Sequence, residues 1–125
     1  MRHSHHYTIQ EASNALPWVV EQLAVLREAR ESLTDEDVRN ALEAGIPGNG
    51  GGTAGKHLGE AFNRLQAGIA TFQEREIVLR DLDRGLVDFP AIRAGREVYL
   101  CWVEGEDEIA YWHELDAGYA GRQEL

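Results

Sequence analysis

Residues 85–122 read GLVDFPAIRAGREVYLCWVEGEDEIAYWHELDAGYAGR, and this stretch sets the fold class. Leu86-Val87-Asp88-Phe89 is a short apolar run entered from Gly85, as strands are. Pro90 cannot donate to a ladder, so it ends that strand or puts it on an edge. Glu97–Val103 and Glu108–His113 flank Glu104-Gly105-Glu106-Asp107, the pattern of a β-hairpin. With Val103 opposite Glu108, one side pairs Trp102 with Ile109, Leu100 with Tyr111 and Val98 with His113. The other side pairs Cys101 with Ala110 and Tyr99 with Trp112. A slip of one residue would exchange every partner. Upstream, Glu76-Ile77-Val78-Leu79-Arg80 reads as a further strand and residues 81–85 as its turn. Residues 115–125 read as loop.

Outward from this sheet the chain is helical. Thr8-Ile9-Gln10-Glu11 is a capping box, opening a short helix that Pro17 closes, or after which Pro17 begins the next. Val19, Val20, Leu23, Leu26 and Leu33 recur at three-and-four spacing with Ala24 and Ala29 alongside, one buried helical face. A short helix through Val38, Ala41 and Leu42 follows a cap at Thr34 or Asp35. Leu58, Phe62, Leu65, Ile69 and Phe72 form the stripe of a second long helix, expected antiparallel to the first. Two helices leave apolar surface over, so a homodimer completing a four-helix layer is expected. The fold class is α+β: a long antiparallel helical hairpin followed by a small antiparallel β-sheet packed against it. One domain spans 1–125, with a disordered tail at 1–6, a helical part at 7–74 containing a flexible glycine-rich connector at 45–55, and the sheet and C-terminal loop at 76–125.

The connector carries six glycines and the dipeptide Gly55-Lys56. His57 follows where a phosphate-binding loop requires Ser or Thr, so the segment reads as a linker. Hydrophobic content of 43% and charged content of 27% are those of a soluble globular protein. A net charge of -10, with no basic run, disfavours nucleic acid and anionic membrane as partners. Cys101 is the only cysteine, so no internal disulfide forms and a cytoplasmic location is the simplest. The N-terminal residues lack an apolar stretch and no apolar run reaches about 18 residues, so neither a signal peptide nor a membrane span is expected.

Four constellations carry chemistry. His113, Glu114 and Asp116, with Asp88 near, offer imidazole and carboxylates to a divalent transition metal, although His113 and Glu114 point to opposite faces of a strand. Cys101 with His113 would be a nucleophile pair, but the pairing above separates them, and Leu100 and Trp102 suggest a buried thiol. Arg93, Arg96 and Arg122, with Trp102 and its aromatic neighbours, suit a small anionic ligand; the alternative is an ion-pair network with Asp81, Asp83, Asp88 and Asp116. Met1 and His3 place an imidazole third from a free amine, the pattern of a terminal Cu(II) or Ni(II) chelate, or else an incidental polar tail.

Four strings extend the reading. Tyr7-Thr8-x-x-Glu11-Ala12-x-x-Ala15-Leu16-Pro17 stands near the N-terminus. Gly85–Ala91 and Gly95–Trp102 follow, and Trp112–Arg122 closes the set. On these marks the chain resembles a bacterial family known only as a domain of unknown function, number 2203. The resemblance implies that Asp88, Cys101, Trp102, His113, Glu114, Asp116 and Arg122 belong to defining motifs; it implies no activity. Two functions stay open. One is a non-enzymatic binding or assembly protein, a homodimer whose C-terminal sheet holds a protein partner or small ligand. The other is a small metal-dependent enzyme, hydrolytic, built around His113.

Overall fold

The computed structural model describes residues 1–31, 33 and 53–125, with side chains from residue 59 onward in the last segment. The short helix expected through Val38–Leu42 and most of the glycine-rich connector lie outside the described residues. Thr53–Gly55, the connector's last residues, already belong to a helix.

Helix α1 spans Ile9–Glu31. The capping box forms as expected: the Thr8 amide donates to Glu11 Oε1 and the Glu11 amide to Thr8 Oγ1, each at 3.0 Å. Pro17 neither ends nor starts a helix; it sits inside α1 on the exposed side. The buried stripe Ala12, Val19, Leu23, Leu26 and Ala29 runs past it, so packing carries the helix through a residue that local preference opposes.

Helix α2 spans Thr53–Glu74 and packs antiparallel on α1, Trp18 meeting Phe72 and Leu26 meeting Gly68. Its inward face is rotated from the expected stripe. Ala61, Gly68 and Phe72 are buried and Leu65 half-buried, while Phe62 and Ile69 are 50% and 40% exposed. The small residues decide this. A Cβ on Gly68 would lie 2.4 Å from Leu26 Cδ2, so the helices approach where a side chain is missing. Gly68→Ala is expected to destabilise by about 1–2 kcal/mol, overpacking outweighing the helix-propensity gain. A urea midpoint at or above wild type would show that the contact relaxes freely.

The sheet has five strands in the order β1-β2-β3-β4-β5, every neighbour antiparallel. They are β1 Val78–Asp81, β2 Leu86–Arg93, β3 Arg96–Val103, β4 Tyr111–Glu114 and β5 Gln123–Glu124. Strand β2 does not stop at Pro90. At that position the missing donor faces the side where β1 has already ended, and the Pro90 carbonyl accepts from the Tyr7 amide at 2.7 Å. Ala94 and Gly95, with φ of 50° and 77°, make the tight β2–β3 turn.

The β3–β4 register differs by one residue from the expected hairpin. Tyr99 pairs with His113, Leu100 with Trp112 and Cys101 with Tyr111. The turn is not local. The Glu106 carboxylate accepts from the Val103 amide at 2.8 Å, its carbonyl accepts from the Trp102 indole at 3.1 Å, and Arg122 grips the same carboxylate at 2.6 and 2.8 Å. Strand β4 therefore starts only at Tyr111. The C-terminal segment is likewise not loop throughout: a 3-10 turn at Tyr119–Gly121 leads into β5, which pairs with the free edge of β4.

This register separates the two faces. Val87, Phe89, Ala91, Val98, Leu100, Trp102 and Trp112 join Val19, Leu23, Leu26 and Phe72 in the core. Asp88, Tyr99, Cys101, Tyr111 and His113 share the other face. The N-terminal residues, expected as a disordered tail, lie against that second face. Backbone amides of residues 2–5 donate to the carboxylates of Glu97 and Glu76, which fixes a segment of almost no apolar content. No helix among the described residues is long and apolar enough to cross a membrane.

Candidate metal centre

Three neighbouring strands each put one donor on the face away from the helices. Asp88 on β2 stands opposite Cys101 on β3, and His113 on β4 stands opposite Tyr99. Relative exposures are 1% for Asp88 and 0% for Cys101 and His113. One carboxylate oxygen, the Cys101 sulfur and one His113 ring nitrogen all lie within 4.8 Å of one another, a group that can hold a metal ion.

The hydrogen bonds fix the histidine. His113 Nδ1 lies 2.7 Å from the Glu114 carbonyl, which only accepts, so Nδ1 carries a hydrogen. His113 Nε2 then faces Asp88 Oδ1 at 3.0 Å, a contact that needs one more shared proton. Arg80 Nε donates to Asp88 Oδ2 at 2.9 Å. Without an ion the group is thus a partnered Arg–Asp–His chain in which Asp88 and His113 are buried and Arg80 reaches the surface. With the shared proton removed, Nε2 is the free lone pair and Nδ1–H stays on the carbonyl, the arrangement that orients a metal-ligating histidine. Burial, and then the charge of Asp88, push the Cys101 thiol up to about 12. An uncharged thiol is a poor nucleophile, so the sulfur is inert unless a cation displaces its proton.

Tyr99 covers this group. Its ring centroid is 5.5 Å from that of His113, the Arg80 guanidinium lies 5.1 Å from its centre, and its hydroxyl is 2.7 Å from His3 Nε2. The segment carrying His3 is anchored at two points. Glu97 receives the amides of Arg2 and His3 and lies 2.7 Å from His6 Nε2. Glu76 receives the amides of Ser4 and His5 and the Ser4 hydroxyl. The bond with His6, then the two amides, hold the Glu97 carboxyl down at about 2; the Ser4 bonds lower Glu76. A carboxylate lowered on folding stabilises above its ordinary value near 4.5, and the gain is lost as pH falls through the folded value. The segment is therefore expected to stay docked at pH 5 and to loosen between about 4.5 and 2, read from the ring resonances of His3 and His6. Release at pH 6 would contradict this anchoring.

Of the metal candidates read from the sequence, Asp88 and His113 come together; Glu114 and Asp116 do not join them. Glu114 faces the other side, bonded to Arg96 at 2.7 Å, and the Asp116 side chain is 96% exposed beside Arg2. The anion candidates divide between the faces. Arg93 lies over Trp112 at 4.8 Å, Arg96 holds Glu114, and Trp102 is in the core. Arg122, on the opposite face, holds Glu106 and lies 3.9 Å from the Tyr111 ring centre. Arg96 and Arg122 each already have a carboxylate, and among the described residues Arg93 has none. Met1 is 80% exposed, and the Arg2 and His3 amides that a terminal chelate would use donate to Glu97. Cys101, Arg80 and Tyr99 are parts of the centre that the sequence pattern alone does not place there. The hairpin register hid Cys101. The signal for it was the lone apolar Trp112 between Tyr111 and His113: pairing Trp112 with Leu100 puts the polar residues of β2, β3 and β4 on one face.

The result is an α+β protein in which a polar buried cluster sits on the sheet face that the helices leave free. The chain belongs to the family described as Uncharacterized conserved protein (DUF2203), whose sequence profile matches residues 5–125. No curated protein and no solved structure matches the chain.

Proposed function

We propose that this protein binds a divalent transition metal through Asp88, Cys101 and His113 and that it is a binding protein rather than an enzyme. The convergence of the three donors within 4.8 Å carries the reading. The mixed donor set of one thiolate, one imidazole and one carboxylate suits Zn²⁺, Co²⁺ or Fe²⁺ and not the oxygen-seeking Mg²⁺ or Ca²⁺. Three protein donors leave a fourth tetrahedral position, which is what favours a metal-dependent hydrolase as the second reading. Against it, Glu114 and Asp116, the carboxylates that reading would use as general base, stand away from the group. Metal analysis of untagged protein tests the reading. Near one ion per chain is expected, lost in His113→Ala; a wild type that takes up none after reconstitution would refute it.

A reducing, cytoplasmic setting suits the single unpaired thiol. Self-association through the helices keeps support from Phe62 and Ile69, which are one face of α2 and stay exposed. Phe62→Asp is expected to shift the elution volume from dimer to monomer; an unchanged volume would rule out this face.

A further inference from the structure

The three donors are closed off from solvent, so an ion cannot reach them unless something covering the face moves. We propose that the N-terminal segment, residues 1–6, is a strap that gates this buried group and that the carboxylates of Glu97 and Glu76 are its two latches. The inference takes its purpose, though not its geometry, from the metal reading.

Four observations point to the strap. First, it rests on the cover of the site: His3 meets the Tyr99 hydroxyl at 2.7 Å, and Tyr99 packs on His113. Second, its hold is almost wholly polar. None of residues 1–6 is buried, and their bonds fall mainly on two side chains, so they can lift without exposing core, while Tyr7, packed on Phe89 and bonded to Pro90, marks where the strap is fixed to the body. Third, Glu76 sits at the end of α2 with φ of 57°, a left-handed position usually given to glycine. The Ile77 amide reaches back to the Phe72 carbonyl at 3.1 Å, closing the helix as glycine would. A non-glycine residue thus occupies a strained position with its carboxylate bonded to Ser4 and His5. Fourth, a cavity of about 400 Å³ opens beside the strap, bounded by His3, Phe72, Glu76 and Val78, and Val78 is paired with Asp88. The cavity thus borders both the strap, at His3 and Glu76, and β1, the strand paired with the one that carries Asp88.

The competing door is on the C-terminal side, where Arg122 lies over Tyr111 and is held by Glu106. Cys101 is the only cysteine, so its labelling by a thiol reagent in the full chain reports opening without requiring a metal. Glu76→Gly removes one latch while relieving the strained backbone, so faster labelling cannot be blamed on weaker folding. Labelling is expected to speed up by about tenfold or more in Glu76→Gly and in Glu97→Gln, with the urea midpoint of Glu76→Gly no lower than wild type. Co²⁺ uptake should accelerate in the same variants to an unchanged final spectrum. Wild-type labelling rates in both variants would overturn the proposal. So would faster labelling in Glu106→Gln alone, which would place the door at Arg122. Faster labelling in the strap variants, with no Co²⁺ bound by any protein, would uphold the strap as the cover of the thiol and refute the metal reading instead.

Discussion

Asp88→Ala is expected to lower folding stability by about 3–5 kcal/mol, the range for breaking a buried ion pair by removing one partner. Asp88 is 1% exposed and accepts from Arg80 Nε at 2.9 Å while meeting His113 Nε2 at 3.0 Å. Arg80 is on the surface and regains water when its partner goes. His113 is fully buried and cannot. The penalty therefore falls on the imidazole, whose buried Nε2 loses its hydrogen-bond partner. Asp88→Asn isolates that cause. Its amide can donate to a neutral Nε2 while its oxygen accepts from Arg80, so the cost should fall to about 1–2 kcal/mol. Urea denaturation measures both. An alanine variant within about 0.5 kcal/mol of wild type would mean that the pair contributes little and that water reaches His113.

Cys101→Ala is expected to do the reverse, leaving the fold almost intact and removing tight metal binding. The sulfur is a small buried group, and its loss costs about 1 kcal/mol of packing. Loss of an outer-shell partner alone typically lowers metal affinity 10–100-fold, so loss of a ligand should lower it by at least about 100-fold. The thiol, pushed up to about 12 without metal, must give up its proton to bind. Affinity in the wild type should therefore weaken on acidification, by about tenfold per pH unit for each proton displaced, and the slope should drop by one in Cys101→Ala. An identical pH dependence in the two proteins would show that sulfur is not a ligand.

Much of this architecture was legible in the sequence, and the part that was not has identifiable causes. The capping box at Thr8 and Glu11 and the turn before Gly85 are contests settled by near neighbours, and local residues foretell them. Pro17 within α1 and the rotation of α2 about Gly68 are settled by packing between helices, which propensity does not see. The hairpin register depended on Arg122 holding Glu106 from 16 residues away. With that register one residue off, Cys101 and His113 fell on opposite faces and the donor set vanished, although Asp88 and His113 were each legible as unusual polar residues among apolar ones. The strap looks like a tail in sequence because it has no apolar periodicity. Its anchors, Glu76 and Glu97, lie more than 70 residues further along the chain.

The most direct test of the metal centre is a titration of the protein with Co²⁺ followed by optical spectroscopy. One equivalent bound, with an intense sulfur-to-metal charge-transfer band that disappears in Cys101→Ala and with binding abolished in His113→Ala, is the expected result. A wild type without that band, or a band that survives the loss of Cys101, would mean that Asp88, Cys101 and His113 serve only to hold one another in the sheet.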